Sequence, residues 1–203
     1  MSRILVGLTA RPKAGKGSFC KIIQDLLEEE GYNLPPYKNS FFNFSAPLRE
    51  ALERAGIPVN RDNMQRLAQE WETGKEGALT QEIKNRVDKA FDSGGGHDLV
   101  IVDGVRWFTD EDMVRNYCCD VNIIVYIKAN PEVRYERMRL QAENAGDDIK
   151  TWAQFLEEDD AKNEKFIPII GQNAGYTIEN NATEERFRSW VKHFYRSRIA
   201  IHF

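Results

Sequence analysis

Cysteine is scarce in this chain. Its 203 residues include only Cys20 and the adjacent Cys118 and Cys119. An odd count without metal-ligand spacing specifies neither a disulfide framework nor a zinc site, and it points to a reducing, cytoplasmic setting with the adjacent pair packed as small buried residues. Long apolar runs are missing too. None reaches the roughly 18–20 residues of a membrane span, and the apolar start ILVGLT runs into Arg11 and Lys13 without a small-residue cleavage site, so neither a membrane partner nor a secretory leader is expected. The three histidines, His97, His193 and His202, stand beside no serine or cysteine that would complete a hydrolase triad. Positive charge is not in excess: 28 basic residues face 32 acidic ones. That balance excludes a large nucleic-acid surface but leaves room for a local basic cleft. Repeats and low-complexity tracts are absent.

With 41% hydrophobic and 30% charged residues, the chain suits one soluble domain with a real core. RILVGLT (Arg3–Thr9) is a continuous apolar run bounded by turn residues, the pattern of a strand buried on both faces. From Lys16 to Glu30, Phe19, Ile22, Ile23, Leu26 and Leu27 recur at helical spacing, and Gly31 supplies the stop. FFNFS (Phe41–Ser45) predicts a short strand and Pro47–Ala55 a helix, with Pro47 in a first turn that needs no N–H. Further helices are predicted over Arg61–Trp71, Thr80–Asp92, Thr109–Tyr117, Pro131–Gln141, Thr151–Glu164 and Thr183–Arg196. Strands are predicted at DLVIVDG, Val121–Ala129 and Gly175–Asn180, and SGGGHD (Ser93–Asp98) is a loop. Such alternation implies an α/β fold, three layers α/β/α around a parallel five-stranded sheet. Ligands of such sheets bind at the carboxyl ends of the strands. Ala10–Ser18 and Asp103–Arg106 both fall there.

The stretch ARPKAGKGS (Ala10–Ser18) follows a strand and opens an amphipathic helix. Those three parts make a phosphate loop: backbone N–H groups turn inward and a helix N-terminus faces the anion. Gly15 lets the backbone approach the phosphates, Lys16 can reach the β- and γ-phosphates, and Ser18 offers a hydroxyl to Mg²⁺. The donor-binding residues are therefore expected among Lys13, Ala14, Gly15, Lys16, Gly17, Ser18 and Phe19. Ala10 departs from the usual leading glycine at a position that does not require positive φ.

The arrangement P-x-x-G-K-G-S resembles the loop of nucleoside monophosphate kinases, commonly G-x-P-G-x-G-K-G-T, with Pro12 matching and Lys13 in place of a glycine. DGVR (Asp103–Arg106) is similar to the D-G-F-P-R of adenylate kinase and its relatives. The resemblance, to the group holding nucleoside and deoxynucleoside monophosphate kinases and dephospho-coenzyme A kinases, spans almost the whole chain. It implies a P-loop fold with core segments 1–45, 97–130 and 175–203, a helical acceptor-binding insertion over about 46–92 and a lid over about 131–165. It implies ATP and Mg²⁺, with Ser18 and Asp103 at the metal and Arg106 on the moving phosphoryl group. SAPLREAL (Ser45–Leu52) is similar to the acceptor element of these kinases, assigning Ser45 and Arg49 to the acceptor phosphate; an exposed Arg49 paired with Glu53 explains the same letters. Arg61, Gln65 and Arg66 occupy the place of the acceptor-binding helices, where Met64, Leu67 and Trp71 read as core. Arg134 and Arg137, at i,i+3, would come from the lid, although QAENAGDD (Gln141–Asp148) lacks the further arginines of that family. Asn180, Asn181 and Ala182 would lie against the adenine, or form a turn capped by Thr183.

The expected activity is phosphoryl transfer from ATP to a phosphate-bearing small molecule, first of all a (deoxy)nucleoside monophosphate, by a monomer or homodimer. Hydroxyl phosphorylation, as in dephospho-coenzyme A kinases, and a non-catalytic nucleotide-binding regulator are the alternatives. A hydrolytic motor is disfavoured because Gly104, not a carboxylate, follows Asp103.

Overall fold

The computed structural model describes residues 2–31, 41–74, 77–92, 99–141, 148–161 and 164–203. The predicted loop at 93–98, His97 and the stretch 142–147 lie outside them. Five strands, β1 (Ile4–Thr9), β2 (Phe41–Asn43), β3 (Leu99–Asp103), β4 (Val121–Lys128) and β5 (Tyr176–Glu179), form one sheet in the order β2-β3-β1-β4-β5. Every pairing is parallel. A fully parallel sheet must be covered on both faces, which is why all six residues of β1 are buried.

Side chains alternate across a strand, so each strand feeds two cores. Ile4, Val6, Leu8, Leu99 and Ile101 pack on α1 (Lys16–Glu29) and on the last helix. Leu5, Val100 and Val102 face the opposite way, against α2 (Ser45–Arg54), α3 (Arg61–Thr73), α4 (Ala78–Asp92) and α5 (Phe108–Arg115). Met64, Leu67 and Trp71 of α3 are half-buried against that second core, as their spacing requires. After β4 come α6 (Pro131–Gln141), α7 (Trp152–Asp159) and α8 (Ile167–Gln172), and after β5 comes α9 (Glu184–Phe194). No helix among the described residues is long and apolar enough to cross a membrane.

The structure corrects four local expectations. The helix predicted over 151–164 stops at Asp159, and α8 follows as a separate six-residue helix with Pro168 in its first turn. β2 is shorter than FFNFS because Ser45 already starts α2, its N–H donating to Asn43 Oδ1 at 2.7 Å. The last α-helix ends at Phe194 and passes into a π-helical turn, Tyr195–Ile199. Cys118 is exposed rather than packed, while Cys20 is buried.

α8 rests on β4 with almost no clearance: a Cβ on Gly171 would stand 2.6–2.7 Å from the Tyr126 ring. Gly171→Ala is therefore expected to destabilise the fold by about 1–3 kcal/mol through overpacking. Urea unfolding would show a lowered midpoint at unchanged slope.

Candidate active site

β1 ends at Thr9, and the chain turns through Lys13 (φ 62) and Gly15 (φ 111) into α1. Left-handed backbone is free for glycine, whereas Lys13 holds it at roughly 1–2 kcal/mol of strain. Asn180, buried at the end of β5, donates from Nδ2 to the Ala14 carbonyl at 2.8 Å. A Cβ on Gly15 would collide with that nitrogen, so glycine is demanded here both by φ and by space. The Gly15 carbonyl accepts from Phe19 N–H at 2.9 Å and closes the first helical turn. The N–H groups of Lys16, Gly17 and Ser18 then have no acceptor within the helix, and the turn carries no acidic side chain. The result is an anion seat at the positive end of a 14-residue helix.

Parallel register sets the opposite wall. Leu8 pairs with Asp103, and Asp103 pairs with Asn43. Asn43 Nδ2 donates to Asp103 Oδ2 at 3.2 Å, while Lys16 Nζ lies 3.9 Å from Asp103 Oδ1 and 3.5 Å from the Ala10 carbonyl. Burial pushes the Asp103 carboxyl above the usual carboxylate range, opposed by the charges of Lys16 and Arg106. Its Oδ1 is buried without a hydrogen-bond partner. Four of the five such side-chain atoms among the described residues (Thr9 Oγ1, Asp103 Oδ1, Arg106 Nε and Glu164 Oε2) belong to residues at or facing the carboxyl ends of β1 and β3. Orphaned buried polar atoms gathered at one end of a sheet mark a place completed by a ligand. An oxygen-only set of Asp103 and the exposed Ser18 hydroxyl fits a hydrated Mg²⁺ that takes its remaining ligands from phosphates.

Arg106 is aimed by its backbone. Gly104 (φ 102) and Val105 donate to the Leu8 carbonyl at 3.1 and 3.0 Å. Asp110 Oδ2 accepts from Arg106 N–H and Trp107 N–H at 3.0 Å each, and its Oδ1 accepts from Thr80 at 2.6 Å. Burial pushes Asp110 up to about 6, against those hydrogen bonds. The Arg106 side chain meets Glu164, 3.7 Å from Nε to Oε1, and Glu164 is only 3% exposed. Asn43, Asp110 and Glu164 were not among the expected site residues. Asn43 was legible only as strand, and Glu164 only as the last residue of a predicted helix that in fact stops at Asp159.

The cleft between these walls has a volume of about 750 Å³ and is lined by Lys13, Gly15, Lys16, Ser18, Asp103 and Arg137, among others. Arg137 reaches it from α6, donating to Asn180 O and Oδ1 at 3.0 and 3.1 Å. Arg134 does not. It is 1% exposed and forms a two-pronged pair with Asp159 at 2.5 and 2.7 Å, so its assignment to the nucleotide is corrected: i,i+3 spacing put both arginines on one helix, but the interior claimed one. Phe19 is likewise corrected, its ring lying in the core against Phe194 and its N–H spent on Gly15. Ala14 is buried and presents no side chain to the cleft.

On the acceptor side, Asn43 Oδ1 accepts from the Ser45 backbone N–H, and Arg49 is exposed with no hydrogen bond or ion pair to any described residue. Glu53 does not hold it. Arg61, expected at the acceptor, pairs with Glu158 of α7, Gln65 is half-buried on α3, and Arg66 donates to Asn63. Asn181 is exposed, its Oδ1 accepting from Asn130 N–H at 2.7 Å, and Thr183 caps α9. The turn and the proximity to the loop thus coexist in Asn180–Thr183.

This sheet order, loop and Asp103–Arg106 wall define a P-loop kinase-like domain. The profile of the family described as AAA domain (AAA_17) matches residues 9–155, and the chain belongs to that family. UPF0200 proteins of Pyrococcus abyssi and Pyrococcus horikoshii are 27% and 25% identical to it, over 91% and 93% of this chain and 91% and 94% of theirs. Shikimate kinase from Bacteroides thetaiotaomicron shares the fold at TM-score 0.56 and 16% identity, covering 96% of this chain and 97% of that one. An uncharacterised protein from Eubacterium ventriosum does so at TM-score 0.54 and 10% identity, covering 97% and 100%. The structural likeness is one of fold, and it does not single out the monophosphate kinases that the motifs resemble.

A raised carboxyl contributes stability that is complete below its unfolded pKa, near 3.8, and lost as pH rises through about 6. For Asp110 the loss amounts to about 3 kcal/mol. Asp110→Asn keeps an acceptor for Arg106 and Trp107, so the stability difference between wild type and variant is expected to swing by about that amount in the variant's favour between pH 4 and 7. Urea melts across that range check it.

Proposed function

We propose that the protein transfers the γ-phosphoryl group of Mg·ATP to a phosphate oxygen of a phosphorylated small molecule, a nucleoside or deoxynucleoside monophosphate. The observation that carries this reading is the pairing of a phosphate seat with the Lys16–Asp103–Arg106 wall, in which Gly104 stands where a water-activating carboxylate would be needed for hydrolysis.

In this reading the N–H groups of Lys16, Gly17 and Ser18, with the Lys16 ammonium, hold the donor phosphates. Ser18 and Asp103 would hold Mg²⁺, which would supply charge neutralisation to the donor phosphates. Arg106 holds the moving phosphoryl group, Arg137 covers it from α6, and Arg49, exposed on α2, takes the acceptor phosphate bidentately. The bond from the γ-phosphorus to the bridging oxygen breaks, the acceptor phosphate oxygen forms the new one, and ADP leaves. An ionised phosphate acceptor has no proton to lose, so positioning and charge neutralisation suffice. One observation favours a second reading, phosphorylation of a hydroxyl: the buried Asp103 Oδ1 has no hydrogen-bond partner among the described residues and can accept a proton from an acceptor hydroxyl.

A coupled ADP-release assay with the ribo- and deoxynucleoside monophosphates and dephospho-coenzyme A tests both. Turnover with a monophosphate supports the first reading, and turnover with dephospho-coenzyme A alone supports the second. Binding of ATP without turnover on any acceptor contradicts both and leaves a nucleotide-binding regulator. With the active acceptor, Lys16→Ala is expected to lower kcat by about 10² or more with the fold intact. Arg49→Ala should raise the acceptor KM and leave ATP binding alone.

A further inference from the structure

Two of the orphaned buried atoms at the mouth of the sheet belong to one ion pair. Arg106 Nε and Glu164 Oε2 have no hydrogen-bond partner among the described residues. The two side chains meet at 3.7 Å, Nε to Oε1, an ionic contact too long for a hydrogen bond. Glu164 is only 3% exposed, so its carboxylate depends on this one cation. Asp110 fixes the backbone N–H of Arg106 but does nothing to set the plane of its guanidinium. A guanidinium has two donor edges, one formed by Nε with an Nη and the other by both Nη groups. A carboxylate on the first edge leaves the second for phosphoryl oxygens. Glu164 comes from the connection between α7 and α8, where its own N–H donates to the Ala161 carbonyl at 2.8 Å. The same stretch of chain carries Asp159, which binds Arg11 of the phosphate loop.

We infer that Glu164 is a positioning residue, which takes the Nε edge of Arg106 and turns the opposite edge of the guanidinium toward the phosphoryl group in transfer. The inference rests on the phosphoryl-transfer reading above. A contraction of about 1 Å brings the contact into the range of a charge-assisted hydrogen bond. That movement gives both orphaned atoms a partner, and an anion in front of Arg106 leaves the guanidinium held from both sides.

Steady-state kinetics with Mg·ATP and the active acceptor, on wild type and Glu164→Gln, test it together with the Arg106 Nε–H resonance. The amide keeps the volume and loses the charge, so the variant is expected to fold. Its kcat should fall about tenfold or more while both KM values stay within about twofold, because the aim of the guanidinium counts as charge moves in the transition state. In wild type the Nε–H signal should move downfield when a non-hydrolysable Mg·ATP analogue and the acceptor bind, and in Glu164→Gln it should stay. A residue that only packs the α7–α8 connection would change stability and move neither kcat nor that signal. Wild-type kcat in the folded variant, or an Nε–H signal that stays in wild type or moves alike in both proteins, would overturn the inference and leave the transfer reading standing. A wild-type protein without turnover on any acceptor would overturn both.

Discussion

The arrangement depends on one buried carboxylate. Asp159, at the end of α7, binds the guanidinium of Arg134 from α6 and that of Arg11 from the phosphate loop. Burial alone would raise its carboxyl, but hydrogen bonds and charge from Arg134 and Arg11 outweigh that and hold it below the usual range. With Arg134 at 1% exposure, loss of this partner would strand a buried charge, a defect of about 3–5 kcal/mol. The neighbouring Glu158 pairs with Arg61 of α3 and with Lys150. Two adjacent acidic residues therefore fix the loop, the helix that covers it and a helix of the opposite wall in one frame.

Within that frame, the sheet does the positioning. Parallel register aligns Asn43, Asp103 and Leu8 in one row, so the carboxylate meets Lys16 at the end of β1 without help from any flexible segment. Glycines at 15 and 104, both with positive φ, let the chain leave β1 and β3 sharply enough to bring backbone donors and Arg106 to the same mouth. Lys16 and Asp103 are held there by the strands and turns with little side-chain exposure, 14% and 17%. Such preorganisation is what makes fixed dipoles and ions effective on transferring phosphoryl groups.

Much of this was legible in the residues. Continuous apolar runs announced β1 and β3, and their carboxyl ends, marked by glycine, lysine, aspartate and arginine, announced the loop and the facing wall. Other features were hidden for physical reasons. Helical spacing shows that Arg134 and Arg137 are close, but which of them the core claims depends on Asp159, 25 residues away. Asn43 looks like any polar residue ending a strand, and only sheet order makes it the neighbour of Asp103. Glu164 acquires meaning solely from the approach of Arg106. Phe19 sits in the loop motif by sequence but in the core by helix phase, beside Ile22, Ile23 and Leu26.

The central claim is that the loop from Lys13 to Ser18 is the seat of a nucleoside triphosphate. Its most direct test is an amide-resolved NMR titration with a non-hydrolysable Mg·ATP analogue. The expected result is saturable shifts largest at the N–H groups of Gly15, Lys16, Gly17 and Ser18, with the Arg134 side chain unmoved. Unshifted loop amides at saturating nucleotide, or shifts centred away from the loop and Asp103, would contradict it.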